Sequence, residues 1–366
     1  MQRTHLFTCA ALSLFCAMLA PAAQAATAEQ SRRFELERAD KGYRLALRSF
    51  EVPAPGANEV VVRIRAVSLN HRDLYVLQGV YGGDASGRVP VSDAAGEVVA
   101  LGPGAKRFKV GDRVATTFFE TWIKGPPTPA AISRSRGGAA APGVLSETIV
   151  THEDGLVKVP AHLSFEEAAT LPCAGVTAWN GLFKHGHLQR DQFVLLEGTG
   201  GVSIFGLQLA AAAGAKPIIT SSSDAKLERA RSLGAVATVN YRAHPEWQEQ
   251  VRAATQGAGV SHVLEIGGKD TLPKALAALG LGGHVALIGG LTGFEGSVDV
   301  NAVTENLGTL TSIYVGSRED FEAMNAFIAQ HRIKPVIDRV FAFEEAPAAF
   351  SYLESGSHFG KVVIRL

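Results

Sequence analysis

The stretch QFVLLEGTGGVSIFGLQLAAAAGAKPIITSSSD, residues 192–224, decides the fold. It opens on an apolar run, 193–196, with the length and flanks of a buried parallel strand. The turn Gly198-Thr199-Gly200-Gly201 follows, then an alanine-rich apolar helix over about 202–213, stopped by Gly214. A second apolar run, 217–220, ends in three serines. Strand, glycine turn, helix and strand at this spacing make one βαβ unit of a dinucleotide-binding fold. Glycines let the backbone approach a pyrophosphate, and a helix start offers it free N–H groups and a partial positive charge. The third fingerprint glycine is replaced by Ser203, which is small enough for close helix–strand packing. The alternative is a chance cluster of glycines in a glycine-rich chain.

Working outward, the pattern of alternating strands and helices continues to about residue 315. Apolar strands are expected near 192–197, 217–220, 236–241, 261–266 and 284–289, with helices over 224–233 and 272–279 between them. That rhythm predicts a doubly wound parallel sheet covered on both faces, an α/β Rossmann fold. A further strand near 312–315 and a helix over 320–331 follow. The segment 34–160 reads as mostly β, punctuated by glycine and proline. Residues 125–143 are rich in Pro, Gly and Ala and predict a long irregular loop, a form that often serves as a lid. Ser164 and Glu167 have the spacing of a capping box, so a helix should begin there. The last strand lies near 360–365.

The chain has 366 residues, no net formal charge and 46% apolar residues, enough for two domains of ordinary size. Neutral balance without basic clusters argues against nucleic acid as a partner. At the N-terminus, Arg3 and His5 precede an apolar run, 6–19, and then Ala23-Gln24-Ala25. This is the layout of a secretory signal peptide, residues 1–25, which predicts a periplasmic or secreted protein. The run falls short of the roughly 20 residues of a membrane span, so no stable insertion is expected after cleavage. The alternative is a mis-assigned start codon and a cytoplasmic protein. After cleavage only Cys173 remains, so no intrachain disulfide can form.

Several motifs together resemble the medium-chain dehydrogenase/reductase superfamily: SLNHRDL (68–74), SDAAGEV (92–98) leading to GDRV (111–114), LPCAGVT (171–177), the glycine turn, and FGKVV (359–363). The resemblance covers nearly all of the mature chain and is strongest to the zinc-independent branch, among quinone-oxidoreductase-like proteins and proteins named as NAD(P)-dependent alcohol dehydrogenases. It implies a β-rich GroES-like catalytic domain, residues 27–172 and 316–366, split by a Rossmann NAD(P)-binding domain, residues 173–315.

By motif match, the three ligands of a catalytic zinc, Cys, His and Cys, fall on Asn70, Ser92 and Cys173. A single thiolate cannot make a three-ligand site, and the loop 120–143 has none of the four cysteines of a structural zinc lobe. The expectation is therefore no metal. Cys173 is read as a packing residue, with a redox or substrate-contacting role as the alternative.

Without zinc, a nicotinamide can still pass hydride to a quinone or an α,β-unsaturated carbonyl whose oxygen is polarised by hydrogen bonds. A proton then comes from a side chain or water. The resemblance implies Asn70, Asp73, Tyr75 and Tyr81 at the nicotinamide, with Asn70 polarising the carbonyl, Tyr81 supplying the proton and Asp73 beside them. For cofactor binding it implies Thr177, Gly198, Gly200, Gly201, Val202, Gly289 and Lys361. NAD enzymes place a carboxylate at the end of the second Rossmann strand; here Ser221 and Ser222 stand there, Lys226 adds positive charge, and Tyr241 ends the third strand. This favours NADPH over NADH, which remains possible; Asp224 is the counter-argument, and helix capping is the plain alternative for the serines. A zinc-free alcohol dehydrogenase or ketone reductase and a low-turnover cofactor-binding module are the other functions to weigh. The expected partners are a small-molecule substrate and a second copy of the chain, paired through the edge strand near 312–315.

Overall fold

Strand β1 (Gln30–Arg38) pairs with β2 (Tyr43–Glu51) in an antiparallel hairpin. The computed structural model describes residues 30–138, 140–295 and 297–366; the expected signal peptide, residues 1–25, lies outside the described residues. Strand β3 (Glu59–Leu69) runs straight into helix α1 (His71–Gln78). Gly79, with φ 74°, ends that helix in the left-handed conformation that glycine adopts at no steric cost. Strands β4 (Asp93–Leu101), β5 (Arg113–Thr116), β6 (Thr148–His152) and β7 (Leu156–Lys158) complete the first half. Between β5 and β6 lies the long loop, which holds one short helical turn, Pro129–Ser133. It is not loose. Arg136 is buried in it and paired with Glu120 at 3.1 Å, and backbone amides of Arg318 and Glu319 donate to Trp122 and Ile123.

Strands β8 (Phe193–Leu196), β9 (Lys216–Ser221), β10 (Ala237–Asn240), β11 (Val260–Glu265), β12 (Leu279–Leu287) and β13 (Thr309–Ser312) form one parallel sheet in the order β10-β9-β8-β11-β12-β13. In chain order this is 3-2-1-4-5-6, the doubly wound Rossmann arrangement. The sixth strand lies three residues earlier than its apolar pattern suggested; the Ile313 amide still donates to Leu287 of β12, and beyond it Val315 takes a left-handed backbone conformation. Helix α2 (Gly201–Ala212) follows β8 and is apolar nearly all round, as a helix buried on most sides must be. Its Gly206 allows close approach to the sheet: a Cβ there would come 2.7 Å from Leu264 and 2.8 Å from Leu196. Helix α3 (Asp224–Ser232) follows β9.

After helix α4 (Arg318–His331) the chain returns to the first half. Strands β14 (Ile337–Ala342) and β15 (Lys361–Arg365) join the first sheet, whose order is β14-β15-β3-β4-β5-β7, with β6 also on β3. Strand β15 lies antiparallel beside β3, which brings Lys361 next to the end of β3 and Asn70. Among the described residues no helix is long and apolar enough to cross a membrane.

Candidate active site

Asn70 is the N-cap of α1, with extended backbone (φ −129°, ψ 158°). Asp73, three residues on, accepts from the Asn70 backbone amide at 2.8 Å, which is one half of a capping box. The other half is not made by the Asn70 side chain. Its Oδ1 accepts instead from Lys361 Nζ at 2.5 Å, and Nζ also donates to the Leu69 carbonyl at 2.7 Å. Lys361 is 3% exposed. A lysine can only donate, so this bond fixes which end of the Asn70 amide faces it. The amide nitrogen, Nδ2, is buried and forms no hydrogen bond of ordinary geometry, although the Asp93 carboxylate lies close to it.

Two buried carboxylates, Asp93 and Asp73, complete the cluster's charge. Asp93 begins β4 and is fully buried; its Oδ1 accepts from Ser92 Oγ at 2.6 Å and its Oδ2 from the Cys173 amide at 2.9 Å. Burial pushes Asp93 above the usual carboxylate range, opposed by the Lys361 ammonium. Burial also pushes Asp73 up, to about 6, with Arg72 opposing. Lys361 is held below the usual lysine range by burial, while Asp93 pulls it back up. The Cys173 thiol is pushed well up, by burial first and then by Asp93, so it stays protonated and unreactive. It sits in a π-type turn, Leu171–Gly175, just before the short helix Val176–Trp179 that carries buried Thr177.

The glycine turn lies against this cluster. Gly198 has φ 70°, a left-handed conformation that glycine allows. A Cβ on Gly201 would come 2.6 Å from Lys361 Cδ and 3.2 Å from Ala174 Cβ. Gly360, next to Lys361, donates its amide to Thr199 at 3.0 Å. At the start of α2, Gly200 gives the first N–H groups of the helix, those around Val202, no side-chain cap, and a Cβ on it would meet nothing within 4 Å. These features fit a pyrophosphate: donors without side-chain partners, a partial positive charge and room for close approach. Beneath the turn, Glu197 is raised far above its usual range by burial and by the neighbouring Glu265. Gly289, past the end of β12, passes so close to the Ile266 carbonyl that a Cβ would come within 2.4 Å.

At the end of β9, Ser221 is 3% exposed and its Oγ accepts from the Ser223 amide at 3.3 Å, with Ser222 between them. Ser223 caps α3. Lys226 Nζ donates to the carbonyls of Gly356 and His358, at 2.9 and 2.8 Å, so its charge is tied to the turn before β15. Asp224 accepts from Asn240 Nδ2 at 2.7 Å and is held there. Tyr241 follows β10, is 40% exposed, and donates its backbone amide to Ser221.

Asn70, Asp73 and Lys361 thus come together in one cluster against Gly201. Tyr81 does not join it by any hydrogen bond among the described residues. It lines a cavity of about 240 Å³ together with Arg72, and its ring meets that of Tyr75 edge-on at 6.2 Å. Sequence reasoning did not single out Asp93 and Ser92 as a bonded pair, Glu197, or two valines with left-handed backbone. Val91 (φ 72°) precedes Ser92, and Val315 (φ 54°) follows the sheet edge, its carbonyl accepting from Asn180 Nδ2. Such a conformation is costly for a β-branched residue and collects at functional sites. Only a residue-type surprise in three dimensions exposes it; the sequence carries no signal for it.

Comparison with known proteins places these features. A model described as the alcohol dehydrogenase GroES-like domain matches residues 56–161, and one described as zinc-binding dehydrogenase matches residues 201–330. A zinc-type alcohol dehydrogenase-like protein of Schizosaccharomyces pombe is 41% identical over 328 residues, covering 87% of this chain and 94% of that protein. The chain belongs to the medium-chain dehydrogenase/reductase family. The quinone oxidoreductase of Pseudomonas aeruginosa is another relative, 30% identical over 87% of this chain and 95% of its own. The crystal structure of a Sinorhizobium meliloti 1021 protein assigned as an alcohol dehydrogenase superposes with TM-score 0.87 at 41% identity, covering 93% of this chain and all of that one. As a medium-chain dehydrogenase/reductase, the protein is an NAD(P)-dependent oxidoreductase of small molecules. The zinc-binding dehydrogenase match begins at residue 201 and contains none of Asn70, Ser92 and Cys173.

Proposed function

We propose that this enzyme works without zinc and passes hydride from a reduced nicotinamide cofactor to a quinone or an α,β-unsaturated carbonyl. The observation that carries the reading is the Lys361–Asn70 bond. The donor set at the three motif-matched ligand positions does not suit zinc. Asn70 Oδ1 is taken by an ammonium, Ser92 Oγ donates to Asp93, and Cys173 is left as the one thiol of the three. Three-ligand zinc sites are built from thiolates, imidazoles and carboxylates; the three matched positions offer one thiol, an amide and a hydroxyl, and a fixed ammonium beside them would repel the ion.

When bound, the nicotinamide supplies the hydride. The protein's own contribution is polar. Asn70 Nδ2 lies buried beside the Asp93 carboxylate without a hydrogen bond of ordinary geometry, and a substrate carbonyl oxygen would give it a better-aligned acceptor. Donation to that oxygen stabilises the negative charge that develops as hydride arrives at the conjugated carbon. Tyr81 or water then supplies the proton, with Asp73 a buried acid close to Asn70. Thr177, Gly198, Gly200, Gly201, Val202, Gly289 and Lys361 make the cofactor's bed in this reading.

The reading further takes NADPH as the cofactor, supported by Ser221 and Ser222 where NAD enzymes carry a carboxylate. It takes a homodimer paired along β13, an edge strand with exposed Val300 and Leu307 in the segment leading to it. It takes residues 27–172 with 316–366, and 173–315, as the two domains, and export directed by residues 1–25.

The test is oxidation of NADPH and NADH with a panel of quinones and enones, before and after dialysis against a strong chelator. Turnover should survive dialysis, and elemental analysis should find no stoichiometric zinc. Zinc at one per chain, with activity lost on its removal, would overturn the proposal.

A further inference from the structure

The 240 Å³ cavity is reached from α1 by Arg72, the residue before Asp73 and two after Asn70. Arg72 and Arg88 face it, with Tyr81, Tyr314, Ser133 and Ser135, and among the described residues no carboxylate lines it. Neither arginine makes a direct ion pair among the described residues, although the Arg72 charge also acts on buried Asp73. Arg72 Nη1 donates to the Arg136 carbonyl at 2.7 Å, and Arg88 Nη2 to the Asp84 carbonyl at 3.0 Å. The carboxylate of Asp84 is turned to Ser86 and Arg38 instead.

Arg72 is held rather than free to swing. Its guanidinium lies 4.7 Å over the Phe118 ring, and Phe118 is buried. One edge of the guanidinium is pinned by the Arg136 carbonyl, and Arg136 is itself buried against Glu120. The other nitrogen, Nη2, lies near Gly138 on the cavity side, where a Cβ would be 3.5 Å from it. A preorganised planar fork suits an oxyanion, which it grips with parallel N–H bonds.

The aromatic residues add a second requirement. Tyr81 is 61% exposed and Tyr314 54% exposed, although both are large and partly apolar. Tyr314 is braced by edge contacts to Phe118 and Phe119. A flat ring would cover these faces, and the volume equals that of about eight waters, enough for one or two fused rings.

We propose that this cavity is a subsite for the anionic end of the substrate, and that the enzyme's acceptors are flat, unsaturated carbonyl compounds bearing a carboxylate or sulfonate. Arg72 grips the oxyanion, Arg88 adds charge from the rim, and Tyr81 and Tyr314 flank the ring. The proposal deepens the hydride-transfer reading and rests on it for the word acceptor, but not for the anion.

The test compares naphthoquinone sulfonate with unsubstituted naphthoquinone on the wild type, Arg72→Met and Arg88→Met. Taking the ratio of kcat/KM for the two quinones within each protein, then comparing proteins, cancels their intrinsic reactivities. The ratio should fall at least tenfold in Arg72→Met and severalfold in Arg88→Met, through KM for the sulfonate. Arg88 lies on a surface loop, so its variant keeps the test meaningful if Arg72→Met folds poorly. In parallel, calorimetry on the cofactor-loaded enzyme compares naphthoate with naphthamide, which needs no turnover. Naphthoate should bind at least tenfold more tightly, and Arg72→Met should abolish the difference. If naphthoate is preferred but neither quinone is reduced, the anion subsite stands and the hydride reading falls. An unchanged ratio in both variants, or equal binding of naphthoate and naphthamide, overturns the subsite.

Discussion

Lys361 Nζ stands 2.5 Å from Asn70 Oδ1, across 291 residues of sequence, in a cluster that is almost wholly buried. The bond joins the last strand of the chain to the cap of α1, and the lysine stem passes over Gly201 of the cofactor turn. One side chain therefore ties the proposed carbonyl-polarising amide to the proposed pyrophosphate bed. A fixed cation at this point also compensates two buried carboxylates, Asp73 and Asp93.

Replacing Lys361 with Met should lower kcat at least tenfold with a smaller change in KM, because Asn70 loses the partner that orients it. Stability should fall by about 1–3 kcal/mol, the usual range for a hydrogen bond to a charged group. Steady-state kinetics and urea unfolding read both effects. Wild-type kcat in the variant would show that the bond does not position the amide.

Gly200→Ala and Gly201→Ala should behave differently. At Gly201 a Cβ meets Lys361 and Ala174, so the substitution should destabilise the chain by about 1–3 kcal/mol and weaken cofactor binding. At Gly200 there is open space and φ is −81°, so stability should stay within about 0.5 kcal/mol while cofactor binding weakens. Urea midpoints and cofactor titration decide it. Undiminished cofactor affinity in Gly200→Ala would remove the turn from the binding site.

Asp73 should make the protein less stable as pH rises. Its folded pKa of about 6 lies above the ordinary value near 3.9, so the native state binds the proton more tightly than the unfolded chain. The contribution is complete below pH ~4, falls away up to about pH 6, and is flat above, a loss on the order of 3 kcal/mol. Asp73→Asn keeps an acceptor for the Asn70 amide and removes the charge. The difference in unfolding free energy between variant and wild type should therefore grow in the variant's favour from pH ~4 to ~7. Parallel curves for the two proteins would show that Asp73 does not titrate in that window.

Ser221→Asp should raise the Kd for NADPH at least tenfold while affecting NADH less, through repulsion of the 2′-phosphate. Equilibrium binding of both nucleotides to wild type and variant checks this. A wild type that prefers NADH by tenfold, or about 1.4 kcal/mol, would refute the argument from the serines.

The sequence alone determined the local units. The run 193–196, the glycine turn, the apolar helix and the second strand are short-range patterns, set by periodicity and by the need for glycine at Gly198. The capping box at Ser164 was legible for the same reason, and the structure makes both of its bonds, at 3.1 and 2.8 Å. The motif match named Asn70, Asp73 and Lys361 one by one, but not as a bonded group. Whether a lysine is exposed or buried depends on what arrives beside it. Here that is set by β15 pairing with β3 and by Asp93 lying beneath, contacts that no window of sequence contains. The same holds for Arg136, a charged residue in a loop that looked irregular, and for Val91 and Val315, whose backbone runs against their side-chain type. Lys226 illustrates the reverse: its helix was readable, while the carbonyls of Gly356 and His358 that hold its ammonium come from 130 and 132 residues away. Local pattern reports which residues share a strand or a helix face. Long-range closure decides which polar groups lose water together, and that desolvation makes the site.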